Sequence, residues 1–321
     1  MAYSPAGTVD CIPVLNASEY EKISRLAHEH FGLDLRGSKQ GLVAARLGKK
    51  LRELGLKSFQ HYYDYVKADR SGAALASMVD QLTTNHTSFF RGPKHFDYLR
   101  ETVFPTLRTR SRIHIWSAAC SSGEEPYSIA MSLLEEAPRE AAAKVHIKAT
   151  DISTRVLEKA KRGVYPAERV AEIPPALRQR YLLKGQDESA GSYRFKSDPR
   201  SMIEFEHLNL MGTLPQAYCC SVIFCRNIMI YFDKPTQQSL VQRLSEHLED
   251  GGTLFIGHSE SLNNIAHGLD YVCPAIYRKP GGTHIRPDLT DLHASSGRVE
   301  VRTAGPAERD LRAAGGDLCP R

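Results

Sequence analysis

The residues best suited to chemistry lie in one run, Trp116-Ser117-Ala118-Ala119-Cys120-Ser121-Ser122-Gly123-Glu124-Glu125-Pro126-Tyr127-Ser128. An apolar stretch from Arg112 to Trp116 gives way to small residues, and a helix is predicted to begin near Glu124 to Pro126. Small residues at a strand-to-helix turn let the backbone approach a ligand, and the helix start offers unpaired N–H groups. A second apolar stretch, Val145 to Thr150, ends in Asp151. An acid roughly 20 to 30 residues beyond such a turn is placed to meet ribose hydroxyls in nucleotide-type α/β folds. The turn and Asp151 together point to an adenosine-like ligand.

The turn has no G-x-G-x-x-G pattern: Ala119, Ser121 and Gly123 stand where a dinucleotide loop carries glycines. Glu124 and Glu125 would repel a phosphate ligand. S-adenosylmethionine fits better, because a sulfonium and an amino acid replace the phosphates. Either glutamate can accept a hydrogen bond from the ligand ammonium, and the residues leave the two open. Taken alone, the stretch also reads as an ordinary packing turn.

Composition narrows the class. The chain has 321 residues, 41% hydrophobic and 25% charged, values of a globular protein large enough for two domains. No apolar run approaches the ~20 residues of a membrane span, and no signal-peptide core is visible, so a cytoplasmic protein without membrane insertion is expected. The seven cysteines form no CxxC pair and read as reduced thiols. The thirteen histidines are scattered, so no metal is expected. The net charge of +5 is concentrated: Arg36, Lys39, Arg46, Lys49, Lys50, Arg52 and Lys57 crowd one stretch, which suggests an acidic partner and not bulk nucleic acid.

These residues need elements to position them. Residues 15 to about 85 carry helical spacing, with Asn16 as an N-cap, Ile23, Leu26 and Ala27 on one face, and a turn near Gly32. From about residue 110, strand and helix patterns alternate, predicting a doubly wound parallel sheet. Residues 164 to 205 break the alternation, and Tyr193–Phe195 with Ile203–Phe205 read as short antiparallel strands of an insertion. The alternation resumes at Ser221–Cys225, and Tyr271–Val272 with Ile276–Tyr277 predict a closing hairpin. Beyond Pro280 the chain has no periodicity and reads as disordered.

Six motifs occur in order: Leu82-Thr83-Thr84-Asn85-His86-Thr87-Ser88-Phe89-Phe90-Arg91, Ser122 to Ser128, Ala149-Thr150-Asp151-Ile152, Leu208-Asn209-Leu210, Phe224 to Phe232, and Gly257-His258-Ser259-Glu260. In these the chain resembles the CheR-type chemotaxis receptor methyltransferases over roughly residues 15 to 279. The resemblance implies an S-adenosylmethionine-dependent protein-glutamate O-methyltransferase, releasing S-adenosylhomocysteine, with chemoreceptor cytoplasmic helices as partner, no nucleic acid, and a monomeric state. The implied fold is an α/β class I methyltransferase sheet with a small N-terminal helical domain and a small antiparallel β insertion. Its implied boundaries are an extension over 1–14, a helical domain over 15–90, a methyltransferase domain over 91–279 with an insertion near 164–205, and a tail over 280–321.

The resemblance also implies roles. Asn85, Thr87 and Arg91 would contact cofactor and close the site. Glu125, or its neighbour Glu124, would face the ligand's amino-acid moiety, and Asp151 the ribose. Asn209 and Leu210 would flank the adenine, and Arg226 and Asn227 the methionyl end. Arg91 and Tyr231 would serve the transfer step. From its charge alone, the basic stretch, through Arg36, Arg46, Lys49, Lys50 and Arg52, is expected to dock an acidic substrate, with a solvated helix face as the alternative. A substrate glutamate is ionised at neutral pH, so the transfer needs no strong base. No Asn/Asp-Pro-Pro-Tyr/Phe segment is present, which argues against nucleobase methylation. Two alternatives stand beside this reading: a non-catalytic S-adenosylmethionine-binding signalling adaptor, and a small-molecule carboxyl methyltransferase.

Overall fold

The computed structural model describes residues 13–136, 142–215 and 218–281. The expected disordered tail falls outside the described residues from 282 onward, as do the first twelve residues of the expected extension.

Four helices open the chain: α1 (Ala17–Phe31), α2 (Gln40–Glu53), α3 (Phe59–Ala68) and α4 (Ala73–Leu82). Asn16 starts α1 with a capping box: its side chain accepts from Glu19 N, and the Glu19 carboxylate accepts from Asn16 N. The other Glu19 oxygen takes the Gln60 N–H at 2.9 Å, tying α3 to α1. Ile23, Leu26, Ala27 and Phe31 form the buried face of α1. Gly32 ends it at φ 69°, where a Cβ would stand 2.8 Å from both Met211 and Thr236. Only glycine satisfies that turn and that close approach.

The sheet has seven strands: β1 (Ile113–Ser117), β2 (Val145–Asp151), β6 (Ile203–His207), β7 (Cys220–Cys225), β8 (Leu248–Ile256), β9 (Asp270–Cys273) and β10 (Ile276–Arg278). Their spatial order is β6-β2-β1-β7-β8-β10-β9. Pairs among β6, β2, β1, β7 and β8 are parallel, and β10 runs antiparallel to both neighbours. Alternate residues of each strand feed different cores. Ile113, Ile115, Val222 and Phe224 join one core with Phe96, Leu99, Ile129 and Leu133. Trp116, Ile223, Leu254 and Ile256 join another that runs without interruption into the buried faces of α1 to α4. The N-terminal helices are thereby packed onto one face of the sheet.

Helices that matter below are α5 (Pro93–Tyr98), α6 (Phe104–Leu107), α7 (Glu124–Glu136) and α8 (Thr154–Arg162). A separate antiparallel sheet joins β3 (Val164–Pro166), β5 (Ser192–Phe195) and β4 (Leu182–Lys184). It is anchored by Phe195, whose ring stacks on Tyr127 of α7 with centroids 4.0 Å apart.

One expectation is corrected. Ile203–Phe205 does not belong to this small sheet; β6 is the parallel edge strand of the main sheet, in register with β2 from Ile147↔Ile203 to Asp151↔His207. Alternation of Ile203 and Phe205 with Glu204 and Glu206 marks a half-exposed strand in either sheet. The partner is settled by Lys148 of β2, whose ammonium reaches both glutamates at 2.7 Å. Cysteines 120, 220 and 225 are buried free thiols, Cys273 is half-buried and Cys219 is exposed; Cys11 and Cys319 lie outside the described residues.

Candidate active site

The chain moves from β1 to β2 to β6 on one side and returns to place β7 on the other side of β1. Such a reversal opens a crevice at the carboxyl ends of the strands. A cavity of about 960 Å³ occupies it, lined also by the 83–91 segment, by Phe31 at the end of α1 and by Leu33 just beyond it. Asn85, Thr87, Arg91, Glu125, Asp151, Asn209, Leu210, Arg226, Asn227 and Tyr231 all line this cavity.

Asp151 ends β2 and is 8% exposed. One carboxylate oxygen accepts the Ser121 N–H at 2.8 Å and the other the Ser153 N–H at 2.9 Å. Burial pushes its carboxyl from the ordinary 3.8 up to about 6, against the pull of those two amides. Ser121 donates from a left-handed conformation at φ 48°, so the turn is bent to aim its amide at the acid. Each oxygen retains lone-pair capacity for a ligand hydroxyl.

The two candidate glutamates part company. Glu124 is 1% exposed and is held by Arg169 at 2.6 Å and by the Ser122 hydroxyl at 2.7 Å. Glu125 lines the cavity, accepting from the Ser117 hydroxyl at 2.7 Å and from Arg226 at 3.1 Å. Arg226 is itself buried, donates to the Arg91 carbonyl, and stands 5.8 Å from the Phe96 ring centroid. Behind it His95 stacks on His258 with centroids 4.3 Å apart. Burial first, then Arg226 and His258, push His95 down to about 3, so it stays neutral.

The remaining residues divide between cavity and scaffold. Arg91 donates to the His86 carbonyl at 2.9 Å and makes no ion pair among the described residues, leaving its charge uncompensated at the cavity. The Tyr231 hydroxyl is engaged at 3.2 Å with both the N–H and the carbonyl of Thr84. Asn209 donates to the His30 carbonyl at 2.8 Å and accepts from Met211 N at 2.9 Å, so its amide ties α1 down and leaves Ile152, Leu208 and Leu210 as the apolar flank. Asn227 lines the cavity from φ 60°.

Within the basic stretch some side chains are already paired and others are not. Arg36 precedes α2 and is paired with Asp34 at 2.7 Å and Asp233 at 2.9 Å. Lys50 pairs with Glu53 at 3.4 Å. Lys49 and Arg52 are exposed on α2. Arg46 binds the Leu82 carbonyl and the Thr84 hydroxyl, the latter at 2.7 Å.

Sequence reasoning assigned no role to Glu260. One of its oxygens accepts from Gly257 N and Asn227 N, and the other takes Met229 N at 2.8 Å. A single carboxylate thus fixes the loop that carries Asn227. Its motif was visible in the sequence, but the two partners that matter for the loop, Asn227 and Met229, lie thirty-odd residues away.

Comparison with known proteins adds an independent line. Residues 85–273 match the family model described as CheR methyltransferase, SAM binding domain, and residues 18–83 match the CheR methyltransferase all-alpha domain. The chain is similar to a chemotaxis protein methyltransferase of Borreliella burgdorferi, 37% identical over 83% of this chain and 95% of that protein. It is also similar to a probable chemotaxis protein methyltransferase of Rhizobium etli, 41% identical over 77% of this chain and 94% of the other. The chemotaxis protein methyltransferase of Escherichia coli is 37% identical over 78% and 87% of the two chains.

Proposed function

Since the chain belongs to the CheR methyltransferase family, we propose that it methylates glutamate side chains on the cytoplasmic helices of chemoreceptors, using S-adenosylmethionine and forming methyl esters. The donor set of the cavity fits this cofactor. Asp151 offers acceptors suited to ribose hydroxyls, Ile152, Leu208 and Leu210 offer an apolar slot for adenine, and Glu125 offers a carboxylate toward an ammonium. When bound, the cofactor supplies an electrophilic methyl on a sulfonium.

The observation that carries the substrate reading is Arg91. Its guanidinium lies on the same cavity as Asp151 and Glu125 without an ion pair among the described residues. A guanidinium so placed can grip an incoming carboxylate through a forked hydrogen bond. A glutamate is already ionised at neutral pH, so no residue must remove a proton from it. What the chain contributes is alignment and exclusion of water, in a reaction whose opposite charges cancel as the methyl passes. Tyr231, by holding Thr84, sets where the 83–91 segment and therefore Arg91 stand.

The test is transfer of labelled methyl from S-adenosylmethionine to a chemoreceptor cytoplasmic fragment. Label should appear as base-labile ester, and Glu→Gln changes at the accepting positions should abolish it. Cofactor binding without transfer to any fragment would favour the adaptor reading, and label on small carboxylic acids alone would favour the small-molecule one.

A further inference from the structure

A second cavity, of about 1390 Å³, lies behind the 83–86 segment. Thr83, Thr84, Asn85 and His86 line both cavities, so the segment is their shared wall. Arg155, Lys159 and Arg162 of α8 line the second one. They are spaced i, i+4 and i+7, which puts three side chains on one helix face, about 10 Å from end to end. All three are exposed, while Val156, Leu157 and Ala160 bury the opposite face. Arg46 of α2 and Arg169 line the same cavity.

Charge pairing shows which of these cations are already used. Arg155 faces Asp80 at 3.5 Å, and Arg169 is bound to Glu124 at 2.6 Å. Arg46 takes only neutral acceptors, and neither Lys159 nor Arg162 makes an ion pair among the described residues. Against these three stands one unpaired carboxylate lining the cavity, Glu168. Exposed cations held apart in this way gain little from the fold itself and remain available to a partner.

We infer that this cavity receives the flank of the acidic substrate helix, with α8 contacting carboxylates one and two turns away from the glutamate presented at the cofactor cavity. The inference rests on the methyl-transfer reading above and adds a second contact surface to it. Lys159 and Arg162, one helical turn apart and free of ion pairs among the described residues, match carboxylates repeated at the same spacing on a helix. A compact phosphate would call for convergent donors, and the interspersed Glu168 would repel it. Arg46 sits where the two surfaces meet, bonded to the wall itself.

The variant Lys159→Glu/Arg162→Glu of the full chain tests this, with Lys159→Gln/Arg162→Gln as a milder companion. Neither position lines the cofactor cavity. Both methyl-transfer kinetics and direct binding of the chemoreceptor fragment should be measured over a range of salt. The reversal should weaken fragment binding and raise its KM about tenfold or more, flatten the salt dependence, and leave S-adenosylmethionine affinity within about twofold. The glutamine pair should fall between. Unchanged KM, binding and salt slope in a protein that still methylates the fragment would overturn the docking surface and leave the methyl-transfer reading standing. Failure of the unaltered protein to methylate any fragment would instead remove the reading on which the inference depends, and the inference with it.

Discussion

The strand-end wall of the cavity and the wall supplied by the 83–91 segment face the same space by opposite means. The first is largely buried and charged: Asp151 pinned by two backbone amides, Glu125 paired with Arg226 and accepting from the Ser117 hydroxyl. The second is half-exposed and held by single bonds to backbone groups, Tyr231 to Thr84 and Arg91 to His86. Desolvated charges at the first wall are costly to disturb, whereas each bond at the second contributes on the order of 1 kcal/mol and can exchange with water. On the proposed function the difference separates the jobs: the first wall would recognise the cofactor, and the second would admit and release the substrate.

Breaking the ion pair should give the largest effect. Arg226→Met leaves the Glu125 carboxylate, only 11% exposed, without its cation, and should lower unfolding free energy by about 3 kcal/mol, read from urea denaturation. Adding Glu125→Gln should recover much of that loss. If Arg226→Met alone were as stable as the parent, the strand-end wall would not be the rigid one.

Next comes Asp151. Asp151→Ala removes a charged acceptor, so calorimetry should show S-adenosylmethionine affinity lower by about 1.5–3 kcal/mol, roughly 10- to 150-fold. Acidity offers a second handle. Because burial raises this carboxyl to about 6, its contribution to folding stability is full below about pH 4 and is lost as pH rises through about 6. Ligand hydroxyls prefer the ionised acceptor, so binding runs the other way, weakening by about tenfold between pH 7 and pH 5. Asp151→Asn should flatten that profile.

Glu260→Ala should act on the loop more than on the fold. Three amides lose their acceptor, and turnover should fall about tenfold while the melting temperature moves by only a few degrees. The smallest effect belongs to the second wall. Tyr231→Phe should cost about 0.5–1.5 kcal/mol of stability and lower kcat more than it lowers cofactor affinity. A change in affinity equal to the change in kcat would mean that Tyr231 serves the cofactor and not the segment.

The two walls also differ in how far they could be foreseen. Asp151 and the small-residue turn are local consequences of strands that end where a helix begins, so spacing alone places them together. Glu124 and Glu125 look equivalent in sequence; a rotation of 100° along one helix turns one inward to Arg169 and the other to the cavity. The hydroxyl of Tyr231 on Thr84, 147 residues away, and the amide of Asn209 on His30, 179 residues away, come from packing the helices onto the sheet. No periodicity encodes them. The sheet to which β6 belongs is hidden for the same reason: alternation states which side of a strand is wet, and a lysine on β2 decides its neighbour.

Trp116, the chain's one tryptophan, is fully buried in β1, with its indole N–H on the Thr150 hydroxyl at 2.9 Å and Tyr218 edge-on at 5.2 Å. It stands beside Asp151's strand and two residues before Ala118 of the cavity. Red-edge excitation therefore interrogates a single site at the centre of the sheet. Emission from it should be blue-shifted and sharp, and should respond to adenosine-type ligands, while the α3 tyrosines remain spectrally silent at that wavelength. The protein carries its own optical probe for the rigid wall.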